Sequence, residues 1–524
     1  MKRKKLFFLN AAGLAAVNIT LRFISVSFNA YVSEKIGAES MGLFTLVMSV
    51  YGLAVVFACS GVNLAAVRLS AERTAVLERR GGSAREFKKC TSSVIRSCLL
   101  YCLLFSFLSS AVLFIFSRPI GTVLLGDERC IPSLRTVAVS LPAISVSSAL
   151  SGFFTGVRKA YKNACVTVTE QFLKIAVTST MLVAIVPYGG DPVKLACLAV
   201  VGGSAIAEGC SLIFNSVLFF TDSRIPSGSR AGNGRAACED QLVSFRAVSE
   251  ISLPTAVGSW ARSGLVTAEH LLIPWGLKKN GAVYSAALSS YGVLQGMVFP
   301  LILFPSALTA SFSALLIPEV AGLAATGDFE KINRAAQKAI SVTVFFAIGI
   351  SALFIVFSKE LGMGLYKEET APHYIMIISP LLPVMYLDTT VDAMLKGLGA
   401  QLDSMKINIV DAACSLLFVF LLVPRLGIYG YIVTVYICEI LNFILSITRL
   451  KKISGFKLPL FKTVLFSVSA ALISVLTVKT TAFFIPITES AAPLMIAAFS
   501  ALYFSSVFLT REGRASISRL LRRV

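Results

Sequence analysis

The sequence predicts an all-α, polytopic membrane protein of about 14 transmembrane helices, and three observations carry that reading. Of the 524 residues, 56% are hydrophobic and only 15% charged, with a mean hydropathy of +0.79; ordinary globular domains hold fewer apolar and more charged residues. Apolar runs of roughly 20 residues, the length that crosses a bilayer, recur from end to end. No polar segment between them is long enough for a soluble domain. The chemistry must lie in the membrane or in short loops.

The runs place helices at about 6–32, 41–68, 92–116, 132–157, 163–186, 194–220, 244–274, 286–317, 335–358, 372–397, 403–424, 427–449, 459–480 and 488–510. The first follows "MKRKK", which has the look of a signal-peptide n-region. Its apolar run is broken by Asn10 and continues past Arg22 without a cleavage site, so it reads as a retained helix. On a helical wheel Asn18, Arg22, Ser25 and Asn29 share one face of it, with Leu21, Ile24, Val26 and Phe28 on the others. Basic residues recur at Arg73 to Lys89 after the second helix, Arg158-Lys159 after the fourth, Arg449 to Lys457 after the twelfth and Arg511 to Arg523 at the end. With the N-terminus inside, about 30 Lys and Arg fall on the cytoplasmic side and about ten outside, as the positive-inside rule requires. This explains most of the +20 net charge and puts both termini in the cytoplasm. It gives the basic tails an orienting role near anionic lipid and no nucleic-acid partner. Pro254 and Pro274 interrupt the seventh helix and Pro300 and Pro305 the eighth, as packing kinks or as hinges for bending.

Eleven cysteines show no CxxC pair and no metal-like cluster with histidine, and read as small apolar packing residues. The two histidines, His270 and His373, leave little room for histidine catalysis or a histidine-bound metal and read as structural.

An internal repeat is visible at an offset of about 240. Ser49-Val50-Tyr51-Gly52 returns as Ser289-Ser290-Tyr291-Gly292, Arg22 meets Arg262, Gly156 meets Gly397, Glu170 meets Asp411, and Val186-Pro187 returns as Val423-Pro424. The near-constant offset carries the inference. Six helices per copy send both copies into the membrane from the same side, a parallel repeat about an axis along the membrane normal. The expected organisation is a six-helix lobe at 1–221, a Gly/Ser/Arg-rich cytoplasmic linker at 222–243, a second lobe at 244–450, and two further helices with a basic tail at 451–524.

Charged residues inside the runs are the candidate functional groups. Intramembrane arginine costs roughly 2.5–3.5 kcal/mol on insertion scales and so faces a cavity or a partner, or snorkels to an interface. Arg22 and Arg262 pose that choice together. Asp388, Asp392 and Lys396 lie at i, i+4, i+8 on one face of the tenth helix, and Glu250 is available from the seventh. The carboxylates suit Na⁺ or H⁺ as a coupling ion; the alternative is an Asp392–Lys396 salt bridge with Asp388 capping it. Glu170 and Asp411, and Glu208 and Glu439, occupy equivalent places in the two copies. With Lys174 four residues from Glu170, structural ion pairs are expected there.

The segments "IGAESMGLFTLVMSVYGLAVVFACSGVNLAAVRLSAE" (36–72) and "VPRLGIYGYIVTVYICEILNF" (423–443) resemble the oligosaccharide and lipid II flippase branch of the multidrug/oligosaccharidyl-lipid/polysaccharide exporter superfamily, and within it the stage V sporulation protein B group. The resemblance covers nearly the whole chain. It implies two six-helix lobes around a cavity, alternating access, and cargo on a polyprenyl phosphate or diphosphate lipid. It also implies that arginines of helices 1, 2, 7 and 8 meet the lipid diphosphate, which points to Arg22, Arg68 and Arg262 here. A guanidinium fork suits a diphosphate because it gives bidentate, charge-assisted hydrogen bonds. Asn29 and Glu269, seven residues beyond Arg22 and Arg262, are candidates for sugar hydroxyls, with Glu269 alternatively pairing with Arg262. No arginine stands inside "SSYGVLQGMVFPLILFPSALTASFSALLIPEV" (289–320), which departs from the lipid II flippases and leaves the glycan open.

The expected protein is a monomeric flippase of the cytoplasmic membrane that moves a lipid-linked saccharide, for peptidoglycan or a surface or spore polysaccharide, without a cofactor and without breaking a covalent bond. A cation-coupled drug exporter of the same superfamily is the alternative; its cavity should be acidic or aromatic. A membrane enzyme is disfavoured, because the outer loops are short and hold no nucleophile–base set.

Overall fold

In the computed structural model the described residues are 2–80, 84–185, 191–221, 245–325, 328–455, 460–484 and 492–506. They form fourteen long helices: α1 (2–36), α2 (38–80), α3 (Ala84–Ile115), α4 (Ile131–Gly156), α5 (Ala160–Ile185), α6 (Pro192–Thr221), α7 (Phe245–Lys279), α8 (284–325), α9 (Phe329–Val356), α10 (Ala371–Gly397), α11 (Gln401–Leu426), α12 (Ile428–Ser454), α13 (Leu460–Phe484) and α14 (Ala492–Ser505). No strand occurs among the described residues. Among the described residues eleven helical stretches are long and apolar enough to cross a membrane. α5 and α7 are not among them, and α14 is a shorter apolar helix.

The expected set of helices is borne out, with three differences of extent. Gly37 separates α1 from α2 with φ 77°, ψ 170°, a conformation open essentially to glycine. The second helix, expected to end at 68, is broken at Ser60-Gly61, resumes at Val62 and continues to Arg80, and the third starts at Ala84. Hydropathy marks only where a helix leaves the apolar layer, and the Glu- and Arg-rich sequence beyond is itself helix-forming. α8 runs on to Ala325 through a π-helical stretch at Gly292–Val298 and a break before Ser306. The linker expected at 222–243 and the basic tail at Arg511 to Arg523 lie outside the described residues.

The chain divides into two compact units: the described residues of Met1–Phe28 and Ile36–Gly292, and those of Asn29–Lys35 and Val293–Val524. In unit 1, α7 packs on α2 and α3: Trp260 lies 4.8 Å from Phe57 and 6.1 Å from Phe105, ring centre to ring centre. Thr267 donates to Ser49 O at 3.1 Å. In unit 2, α13 and α14 pack on α9, where Tyr503 stacks on Phe345 at 4.6 Å and donates to its carbonyl at 2.7 Å.

The internal repeat is written into the hydrogen bonding of the two units. Proline cannot donate to the carbonyl four residues before it, and in hydrocarbon an orphan carbonyl costs several kcal/mol. Pro142 in α4 leaves Ala138 O, which Ser110 of α3 takes up at 2.7 Å. At Pro383 in α10 the corresponding carbonyl, Ser379 O, accepts from Ser351 of α9, also at 2.7 Å, and from the Leu382 N–H through a 3₁₀ turn. Both triplets are related by 241 residues. Gly156 and Gly397 are equivalent in packing too: a Cβ on Gly156 would press on Val67 O and Ser70, and one on Gly397 on Val320 and Ile317 O. A pair of short helices, at Ser117–Leu124 and Ser358–Tyr366, was not anticipated. They are too short to register as apolar runs, yet "FSRPIG" (116–121) and "FSKELG" (357–362) align at the same offset. Gly121 and Gly362 each lie so close to the start of the next helix that a Cβ would collide with Ile131 or Pro372.

Candidate functional site

Arg22 on α1 and Arg262 on α7 both belong to unit 1 and both are exposed. Neither makes a hydrogen bond or ion pair among the described residues. Arg262 therefore does not pair with Glu269, which is buried at 8% exposure. A guanidinium inside an apolar run without a protein partner needs water or an external anion.

The other arginine candidate is placed differently. Arg68 sits on the exposed surface of α2, held to Glu72 one turn on at 2.8 Å. Asn29 falls in unit 2, where its amide donates to Gly296 O at 2.9 Å. That carbonyl is the one Pro300 cannot serve. The donor face expected for sugar hydroxyls is thus spent on the backbone of α8. His270 hydrogen-bonds Tyr291 at 3.0 Å and His373 bonds Tyr429 at 3.1 Å, structural roles for both.

Of the carboxylates read as ion-coupling, Glu250 is a correction. It lies in unit 1 as an exposed partner of Arg246 at 2.9 Å, so the i,i+4 register of α7 satisfies it locally. Asp392 is paired with Lys396 at 2.6 Å, as the salt-bridge alternative expects, and accepts from Ser404. Asp388 keeps an open valence. Its Oδ2 accepts from Asn442 at 3.1 Å, while its Oδ1 and Asn442 Oδ1 are buried without a hydrogen bond. Two groups that had been read as structural ion pairs join it: Asp411 of α11 and Glu439 of α12 are within electrostatic reach of Asp388 and of each other. Glu439 makes no hydrogen bond or ion pair among the described residues. Those carboxylates do not converge at metal-ligand spacing.

Unit 1 holds the counterpart. Tyr51 donates to Glu208 at 2.6 Å and lies 3.2 Å from Ser140 Oγ, Ser211 donates to Glu170 at 2.7 Å, and Lys174 is within electrostatic reach of both glutamates. The expected Glu170–Lys174 contact ion pair does not form, and Glu170 accepts from Ser211. Tyr51 escaped the sequence reading, although the repeat marks it opposite Tyr291.

A profile described as polysaccharide biosynthesis protein matches residues 8–307, more than half of the chain. The chain belongs to the polysaccharide biosynthesis protein family. A second profile, MatE, matches residues 281–421. Stage V sporulation protein B of Bacillus subtilis (strain 168) is 24% identical over 436 residues, 82% of this chain and 80% of that protein. This bears out the resemblance seen in residues 36–72 and 423–443. Among solved structures, the lipid II flippase MurJ in an inward closed conformation superposes with a TM-score of 0.61 at 16% identity, covering 96% of this chain and 98% of that one. An inward-facing multidrug resistance MATE family transporter of the MOP superfamily gives 0.60 at 15%, covering 84% and 99%. The fold of this family member is thus the multi-pass helical fold of those two structures.

Proposed function

We propose that the protein is a flippase that carries a polyprenyl-diphosphate-linked saccharide across the cytoplasmic membrane, without making or breaking a covalent bond. The observation that carries this is the pair Arg22 and Arg262: equivalent positions of the repeat, one compact unit, both exposed, both without a protein partner among the described residues. Two unspent guanidiniums match a diphosphate in charge and in fork geometry. A drug cation would be repelled by the same pair. Membership of a polysaccharide biosynthesis family, and relatives that include a sporulation protein and a lipid II flippase, agree with a lipid-linked saccharide for the cell wall or spore envelope. The saccharide and diphosphate cross while the polyprenyl tail stays in lipid, by alternating access of the lobes at 1–221 and 244–450, with both termini cytoplasmic.

Energy enters through a monovalent cation, Na⁺ or H⁺, taken up by unit 2 at Asp388, Asp411 and Glu439. What supports it is that Lys396 is committed to Asp392, that Asp388 Oδ1 is buried without a hydrogen bond, and that Glu439 makes no hydrogen bond or ion pair among the described residues. The reading is tested in proteoliposomes that contain a fluorescent undecaprenyl-diphosphate disaccharide, with membrane-impermeant quenching as the measure of flipping. Protein-dependent flipping that Arg22→Ala/Arg262→Ala lowers at least tenfold supports it. Unaltered flipping in the double variant, or export of a cationic dye in its place, refutes it.

A further inference from the structure

Asp388 of α10 and Asn442 of α12, both in unit 2, are joined at one corner only. The Asn442 amide donates to Asp388 Oδ2 at 3.1 Å, while the other oxygen of each group, Asp388 Oδ1 and Asn442 Oδ1, is buried without a hydrogen bond. Asn442 is itself only 7% exposed. Two unbonded polar atoms on neighbouring buried groups call for a common cause. Both are acceptors, since an ionised carboxylate and an amide oxygen have no hydrogen to give. What the pair lacks is one donor. A proton on Asp388 supplies it: the new O–H donates to the amide oxygen, and a turn of either planar group about its last, soft torsion closes a cyclic acid–amide pair.

A metal ion asks for more. A hard metal cation gathers a shell of several oxygens, and among the described residues no three acidic, cysteine or histidine side chains stand at that spacing. The charged groups within electrostatic reach of Asp388 are Asp392 and Lys396 on its own helix, paired with each other, Asp411 on α11 and Glu439 on α12. Ser446 of α12 also lies against the carboxyl. α8 and α9 turn apolar side chains to α10, Leu316 and Val344 among them, and Thr343 bonds Thr390. In unit 1 the place of Asp388 is taken, at an offset of 241, by Ser147, whose hydroxyl accepts from the Asn215 amide at 2.7 Å and does not titrate.

We propose that the coupling cation is a proton, held by Asp388 and shared with the amide oxygen of Asn442. The inference rests on the coupling role given to unit 2 above and names its ion. The proton comes from water on one side of the membrane and returns to water on the other, and the Asp388 carboxylate becomes a neutral acid while it is bound. With the proton on, two hydrogen bonds tie α10 to α12; with it off, one does.

The test uses the full-length protein in the flipping assay above, with the membrane potential clamped. A pH gradient with choline replacing Na⁺ on both sides is compared with a Na⁺ gradient at equal pH. With one proton per cycle, each unit of pH gradient shifts the distribution of the lipid between leaflets by up to about tenfold; the Na⁺ gradient shifts nothing. Infrared spectra of the purified protein locate the proton. Acidification without Na⁺ brings up a carboxylic-acid carbonyl band at the low frequency of a hydrogen-bonded acid, which Asp388→Asn loses and Asn442→Leu moves to higher frequency. If Asn442→Leu does not fold, the wild-type frequency decides alone, because a free acid absorbs higher. A shift driven by Na⁺ in place of pH, a band that survives Asp388→Asn, or a band at the free-acid frequency overturns this inference and leaves the coupling reading standing. A distribution that follows neither gradient overturns the coupling reading, and the inference falls with it.

Discussion

Arg22 and Arg262 differ from Arg68, Arg246 and Arg129 in what they lack. Arg68 has Glu72, Arg246 has Glu250 and Arg129 has Asp127 and Glu39, whereas these two have no partner among the described residues. If bidentate recognition of a diphosphate explains them, Arg22→Lys should weaken lipid-diphosphate binding about tenfold while keeping the charge, since the fork is lost; a dissociation constant measured in nanodiscs checks it. The unspent valence of Asp388 predicts that Asp388→Asn abolishes the dependence of flipping on Na⁺ or pH while binding of the lipid persists. An unchanged ion dependence would remove Asp388 from coupling. The arginines were legible because a lone guanidinium in an apolar run is conspicuous. Asn29 misled because its partner, the carbonyl left by Pro300, lies 267 residues away, and Glu250 misled because Arg246 satisfies it within one turn.

At the level of elements, prolines bend the helices and serines on the neighbouring helix repair the break. Ser110→Ala should cost about 1 kcal/mol, read as a drop of a few degrees in thermal midpoint, and Ser351→Ala less, because Ser379 O keeps the Leu382 N–H. Gly37→Ala should cost about 1–3 kcal/mol, since φ 77° with ψ 170° is strained for any residue with a Cβ; the same thermal measurement tests it against Gly264→Ala, where a Cβ meets nothing within 4 Å. The helices themselves were legible from apolar length. Their polar extensions were not, because hydropathy does not report a helix once it leaves the bilayer. The two short helices were invisible to length but present in the repeat, at Phe116 and Phe357.

For the whole molecule, the repeat is what made the architecture readable from a single sequence and what exposes its asymmetry. Gly156 and Gly397, Pro142 and Pro383, Glu208 and Glu439 keep the same places, so the scaffold was duplicated; Lys174 against Ser415 and Ser147 against Asp388 show where the halves diverged in charge. No single position revealed that divergence; it emerges only when Lys174 is set beside Ser415 and Ser147 beside Asp388. The central claim is that two unpaired arginines in unit 1 receive a lipid diphosphate. It is tested most directly by native mass spectrometry of the purified protein with an undecaprenyl-diphosphate saccharide, comparing wild type with Arg22→Ala/Arg262→Ala. The account predicts selective binding by wild type over an uncharged polyprenol, lost in the double variant; equal binding by both proteins would contradict it.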